Sequence, residues 1–333
     1  MAPGPVTDGV NEVVSDPVTD PAALWTPAAN DTGPALRPCA NRLRYNLCNW
    51  MVDVGDNHAL CRSCRLTRVI PALGPPADPG RNWARWHAIE QAKRRLMFTL
   101  LGIGLGPWPK ADGTDAQGLD FLLLEDQPGQ PVRTGHERGT ITLNIAEADD
   151  DRRETLRVQM GEPTRTLLGH LRHEAAHYLQ YRWIAGTSAE ADGRAAFGDE
   201  RADYATALAH YYANGARSHW PQQFISAYAS AHPWEDWAET CAHYLLVLDA
   251  VQTAGAWGLS LDGPAHAAPA PLDPSQPPQV HDLVLQQWLP VAQFLNAMHR
   301  SLGQRDSYPY LLPAAVLDKM GTVQRLLRQA AGP

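Results

Sequence analysis

No apolar run in this sequence is long enough to cross a bilayer. The longest, Leu96 to Leu105, falls far short of the roughly 20 residues that a spanning helix needs. The N-terminus lacks the basic, apolar character of a secretory leader, since residues 1–36 hold five acids and no base. These absences predict a cytoplasmic protein that does not engage a membrane. A surplus of positive charge is missing as well. The formal net charge of −8 argues against nucleic-acid binding by the chain as a whole. Its distribution is uneven, because Arg37 to Arg95 carries eleven Lys/Arg against four acids. Cysteine is scarce at five residues, and four of them lie close together. Without an export signal, that grouping points to metal rather than to disulfides.

What remains is an ordinary globular composition of 333 residues, rich in Trp and Pro. That length suffices for one large domain or two to three smaller ones. Residues 1–35, rich in Pro, Asp, Ala and Thr and without periodicity, read as a disordered arm. Cys39, Cys48, Cys61 and Cys64 follow within residues 36–70. The knuckle Cys61-Arg62-Ser63-Cys64 lets two thiolates turn toward one ion, and four sulfurs make a closed tetrahedral zinc site. Trp50 and Leu60 are candidates to pack over it, and folding of so small a module would depend on the metal. Pro71 to Pro79 is a linker. Asn82 to Ile103 has helical periodicity, with the basic turn Ala92-Lys93-Arg94-Arg95 expected on a solvated face. Asp120–Glu125 and Thr140–Ile145 read as strands of a small antiparallel sheet, and the free edge of the second could pair with an extended peptide.

The sequence centres on Leu167 to Trp183, which contains His173-Glu174-Ala175-Ala176-His177. On a helix this HExxH run sets two imidazoles one turn apart on one face, in reach of a single Zn²⁺. Glu174 would stand beside the ion's open position and accept a proton from water. Helices are further expected over Glu200–Asn214, Pro221–Ala231 and Trp234–Ala254, the last opened by His232-Pro233. Residues 256–281 form a Pro/Ala-rich connection, and 282–330 a helical segment packed back on the body. The class is therefore α+β and mainly helical.

Two imidazoles need a third protein ligand. Glu235, Glu239 and His243 fall at i, i+4 and i+8 beside an apolar face. Glu235 is the first choice as ligand, with Glu239 accepting the other ring N–H of a ligand histidine. The two roles are exchangeable, and Glu200 is a competing source. His170 precedes His173 by three residues, in a role beside the metal or in the core. Tyr228, His232 and His243 are candidate donors to an oxyanion.

With these residues assembled, the chain resembles the zinc-binding metallopeptidases that carry an N-terminal zinc-ribbon-like domain. The resemblance covers roughly residues 37–320. It rests on Cys48-Asn49-Trp50, Cys61 to Arg68, Ala92 to Leu96, Leu168 to His177, Gly198 to Tyr204 and His232 to Asp236. It implies a zincin-like metallohydrolase fold over 80–255, peptidase activity on a peptide or protein substrate, and Glu235 as ligand, by likeness to other glutamate-type zincins. The family often opens with a further CxxC pair, and none precedes Cys39 here. The expected cofactors are one catalytic and one structural Zn²⁺. A second reading makes the protein an adaptor, with an inactive HExxH domain and a four-cysteine module that recruits protein or nucleic acid. A third makes it a hydrolase of non-peptide amides or esters.

Overall fold

The computed structural model describes residues 33–74, 80–110, 116–160, 162–163, 165–264, 266–269 and 272–332. Residues 1–32 of the expected N-terminal arm and 75–79 of the linker lie outside them. Leu36 to Leu66 folds around sulfur. Strands β1 (Leu36–Pro38) and β2 (Met51–Asp53) pair antiparallel, joined through the short helix α1 (Ala40–Tyr45). The interior is Cys39, Cys48, Cys61, Cys64 and Val52, with Trp50 and Leu60 laid against it as expected. That is too little apolar surface to drive folding by itself.

The remaining buried side chains form one contiguous core. Its axis is α4 (Leu167–Trp183) against α7 (Pro233–Ala256), flanked by α2 (Arg81–Gly102) and α10 (Ala314–Ala331). Thr166 caps α4 by accepting the Gly169 amide at 2.9 Å. His232 caps α7, with Pro233 in the first turn where its missing N–H costs nothing. Trp237 of α7 donates to the Ala176 carbonyl of α4 at 2.8 Å, which fixes one helix against the other.

The sheet beside these helices contains β3 (Thr67–Val69), β4 (Asp120–Leu124), β5 (Gly135–Glu137) and β6 (Thr140–Asn144). Its order is β3-β4-β6-β5. The sheet is mixed, which corrects the antiparallel expectation: β4 pairs parallel with both β3 and β6, and only β5 with β6 is antiparallel. The cause is β5, three residues that carry no alternation to read. It reverses through Arg138 and Gly139, both at positive φ, a turn whose twist suits a two-residue hairpin. This inserts β6 between β4 and β5, so both edges of β6 are paired and the outer edge belongs to β5.

Elsewhere the helices differ in detail. The helix expected from Glu200 begins at α6 (Tyr204–Asn214), capped by Asp203 through the Thr206 amide at 2.7 Å. Pro221 to Ala231 contains 3₁₀ turns, at Trp220–Gln222 and Tyr228–Ser230, in place of a continuous helix. Among the described residues, α1, α3 (Asp150–Met160) and α5 (Glu190–Phe197) were not anticipated. Near the C-terminus α8 (Val280–Asp282) runs through a π-helical stretch, Leu283–Trp288, into α9 (Leu289–Ser301). Pro290 sits in the first turn of α9, where it lacks a donor and the ladder widens ahead of it. Among the described residues no helix is long and apolar enough to cross a membrane.

Candidate metal centres

All five cysteines are free thiols. Four of them, Cys39, Cys48, Cys61 and Cys64, bring their sulfurs within 4.8 Å of one another. Cys48 and Cys61 Sγ are 3.7 Å apart, close to the roughly 3.8 Å between two ligands at about 2.3 Å on a tetrahedral ion. Backbone amides support the sulfurs: Trp50 N–H donates to Cys48, Cys61 N–H to Cys39 and Cys64 N–H to Cys61. Cys48 and Cys61 hold the Cys39 thiol below its ordinary range, whereas Cys39 and Cys48 push Cys61 far above it. Thiolates so close together ionise jointly only around a cation, and the donor set fits Zn²⁺.

The second cluster is assembled from α4 and the first turn of α7. His173 and His177 Nε2 lie 3.2 Å apart, and Glu235 Oε2 is 3.1 Å from the first and 3.7 Å from the second. Ligands at about 2.1 Å on a tetrahedral ion are about 3.4 Å apart, so the three atoms have the spacing of a ligand set. Glu235 is 1 % exposed, and its Oε2 lacks a hydrogen-bond partner. Its other oxygen accepts from the Tyr204 hydroxyl at 2.5 Å. Burial opposes charge here. Even so, His173 and His177 hold the Glu235 carboxyl well below its usual range, and Glu235 and Glu239 lift His173 well above its own. The pocket favours positive charge between the rings and the carboxylate.

The three candidate carboxylates have separated. Glu239 Oε1 accepts from His173 Nδ1 at 2.7 Å, and its Oε2 accepts from Ser226 at 2.7 Å. Nδ1–H is thereby held, and Nε2 is the nitrogen turned toward the cluster, where a metal would take the place of its proton. Glu200 pairs with Arg194 at 2.5 Å and belongs to the α5–α6 turn. Glu174 is 5 % exposed, with one oxygen 3.3 Å from His170 Nε2 and the other without a partner. Burial disfavours its charge, but His170 and His173 bring its carboxyl down to about 2.

The oxyanion candidates diverge. His232 Nδ1 accepts from the Trp234 amide and Nε2 donates to the Ala202 carbonyl, so no ring N–H is free for the role expected of it. His243 packs edge-to-face in an aromatic cluster, its ring centroid 4.3 Å from that of Tyr310 and 6.0 Å from that of Tyr308. Tyr228 stands with its ring 6.1 Å from that of His173. Sequence reasoning missed Tyr204, Ser226 and Glu147. The first two are single hydroxyls with no periodic signal, and Glu147, on a 3₁₀ turn at Ile145–Ala148, opens an acidic run with Asp149, Asp150 and Asp151 that reads as a solvated stretch.

Both imidazoles, Glu174, Glu235, Tyr228 and the β5 strand line one cleft of about 2360 Å³. Two histidines and a carboxylate at the floor of an open cleft are the equipment of a zinc hydrolase. The comparisons with known proteins agree on that class. The chain belongs to the family described as "Putative zinc-binding metallo-peptidase", whose model matches residues 82–326. A zinc-ribbon domain model matches residues 12–75. Curated relatives from Mycobacterium bovis and from two strains of Mycobacterium tuberculosis, each described as an uncharacterized protein, are 42% identical over 296 residues, 88% of this chain and 83% of theirs. No solved structure matches.

Proposed function

We propose that the protein is a zinc-dependent peptidase in which His173, His177 and Glu235 hold the catalytic ion and Glu174 is the general base. Cys39, Cys48, Cys61 and Cys64 hold a second, structural zinc. The observation that carries this reading is the convergence of two Nε2 atoms and one unpartnered, buried carboxylate oxygen at tetrahedral spacing. When bound, zinc supplies Lewis acidity, acidifying water and polarising the scissile carbonyl. Glu174, one residue after the first ligand, takes the proton and returns it to the leaving amine. Glu239 orients His173, and Tyr204 orients Glu235. Tyr228, whose ring lies 6.1 Å from that of His173, is the candidate donor to the developing oxyanion. The outer edge of β5, whose residues line the cleft, can receive an extended peptide through main-chain hydrogen bonds.

The adaptor reading drew on the basic surplus between Arg37 and Arg95. Much of that surplus is engaged inside the molecule. Acids from outside the segment take it up: Arg68 pairs with Asp120, Arg81 and Arg85 with Asp149, and Arg95 with Asp249, while Arg62 covers Trp108. Glu174→Gln should keep two zinc equivalents per chain and lose at least about 100-fold in peptide hydrolysis. Full turnover by that variant would end the proposal.

A further inference from the structure

The general-base reading leaves His170 unexplained. It lies one turn ahead of Glu174 on α4, and its Nδ1 is 2.5 Å from Glu147 Oε2 while Nε2 is 3.3 Å from Glu174 Oε1. Glu147 is itself held, by the Thr134 hydroxyl on its other oxygen and by Arg165 at 3.7 Å. All five groups line the cleft, yet none of them offers an atom to the His173/His177/Glu235 cluster. A buried carboxylate on a flexible side chain has several rotamers, and an unpaired one is costly to bury. The Glu147–His170 pair removes that freedom by engaging one oxygen of Glu174. The other oxygen is buried and has no protein partner, an orphan that a water held within the site would satisfy.

We propose that His170, anchored by Glu147, is the positioning residue of Glu174: it fixes one carboxylate oxygen so that the other faces the reacting water. This rests on the reading of Glu174 as general base, which the test must separate from it. A histidine that merely fills the core would satisfy itself on Glu147 and leave the Glu174 rotamer indifferent to its removal.

The test compares crystal structures and zinc contents of the zinc-loaded full chain as wild type, His170→Asn and His170→Gln. The wild type should show one Glu174 rotamer. His170→Asn, too short to reach, should let Glu174 swing away or split, with zinc at the His173/His177/Glu235 site unchanged. His170→Gln, whose amide can donate, should restore the single rotamer. On a mixed-sequence fluorogenic peptide library, kcat should fall about tenfold or more in His170→Asn with KM unmoved, and recover in His170→Gln. Glu147→Gln is the second variant should His170→Asn fold poorly, and it should loosen Glu174 in the same direction. An unmoved Glu174 rotamer in His170→Asn or Glu147→Gln overturns the proposal alone, as does selective loss of the catalytic zinc in either. Absence of zinc from that site in the wild type overturns the parent reading as well.

Discussion

The two candidate metal clusters sit in one chain and are built on opposite principles. The four-cysteine cluster draws all its donors from one short stretch and has sulfur on every side. The His173/His177/Glu235 cluster draws donors from two helices and opens onto a large cleft. The first has almost nothing else to hold it together. The second is set into a hydrophobic core that exists without it, with Trp237 pinning α7 to α4. Metal in the first should be a folding requirement, and metal in the second a property carried by an already folded frame.

The most forceful way to break that contrast is to remove one ligand from each side. Cys61→Ser should cost the module its zinc, a contribution on the order of 10 kcal/mol to its folding. Limited proteolysis should then cut within residues 36–66 while the rest of the chain resists. Equal resistance throughout would show that the module holds its shape without metal. Glu235→Ala should do the reverse, lowering zinc content from two equivalents to one, while circular dichroism and the melting profile stay close to wild type. A collapse of helicity in Glu235→Ala would erase the distinction.

A finer probe is Glu239→Gln, which keeps the shape but loses the charge behind His173. Zinc affinity at the open site should fall about 10–100-fold in chelator competition, and the cysteine site should be untouched. The smallest effect expected is on pH. Burial lowers the His243 pKa to about 4, against an ordinary 6.5. The fold therefore favours the neutral ring. Stability is fully present above about 6.5 and is lost as pH falls toward about 4. His136 is lowered to about 4 by burial as well, so the test is a difference: in denaturant unfolding the wild type should lose about 1.4 kcal/mol more than His243→Phe by about pH 5.5.

How far the sequence anticipated this arrangement depended on the range of the signal. α4 and α7 were readable because their apolar periodicity, caps and Pro233 act within a few turns. The stripe Glu235, Glu239, His243 followed from spacing on one helix. Strand order was not readable, since alternation marks a strand without naming its neighbour, and the three residues of β5 gave no period at all. The basic turn at Lys93 was expected on a solvated face. In the fold Lys93 is fully buried with Glu90 at 2.8 Å, a pairing set by Thr67 and by helix packing that no local rule reports. Tyr204 and Glu147 were silent for a related reason. Each is an ordinary residue in its own segment and gains a role only when another segment arrives.

β3 has a practical bearing on anyone who trims this polypeptide. It lies three residues past the last clustered cysteine, yet it hydrogen-bonds to β4 within the larger sheet. A cut placed at residue 70, the obvious seam, would strip away that outermost ribbon and lay β4 bare. An uncovered strand of this kind invites self-association. Shortened versions meant to isolate the hydrolase should therefore start ahead of Thr67, or precipitation will be mistaken for a need for the cysteine-rich module.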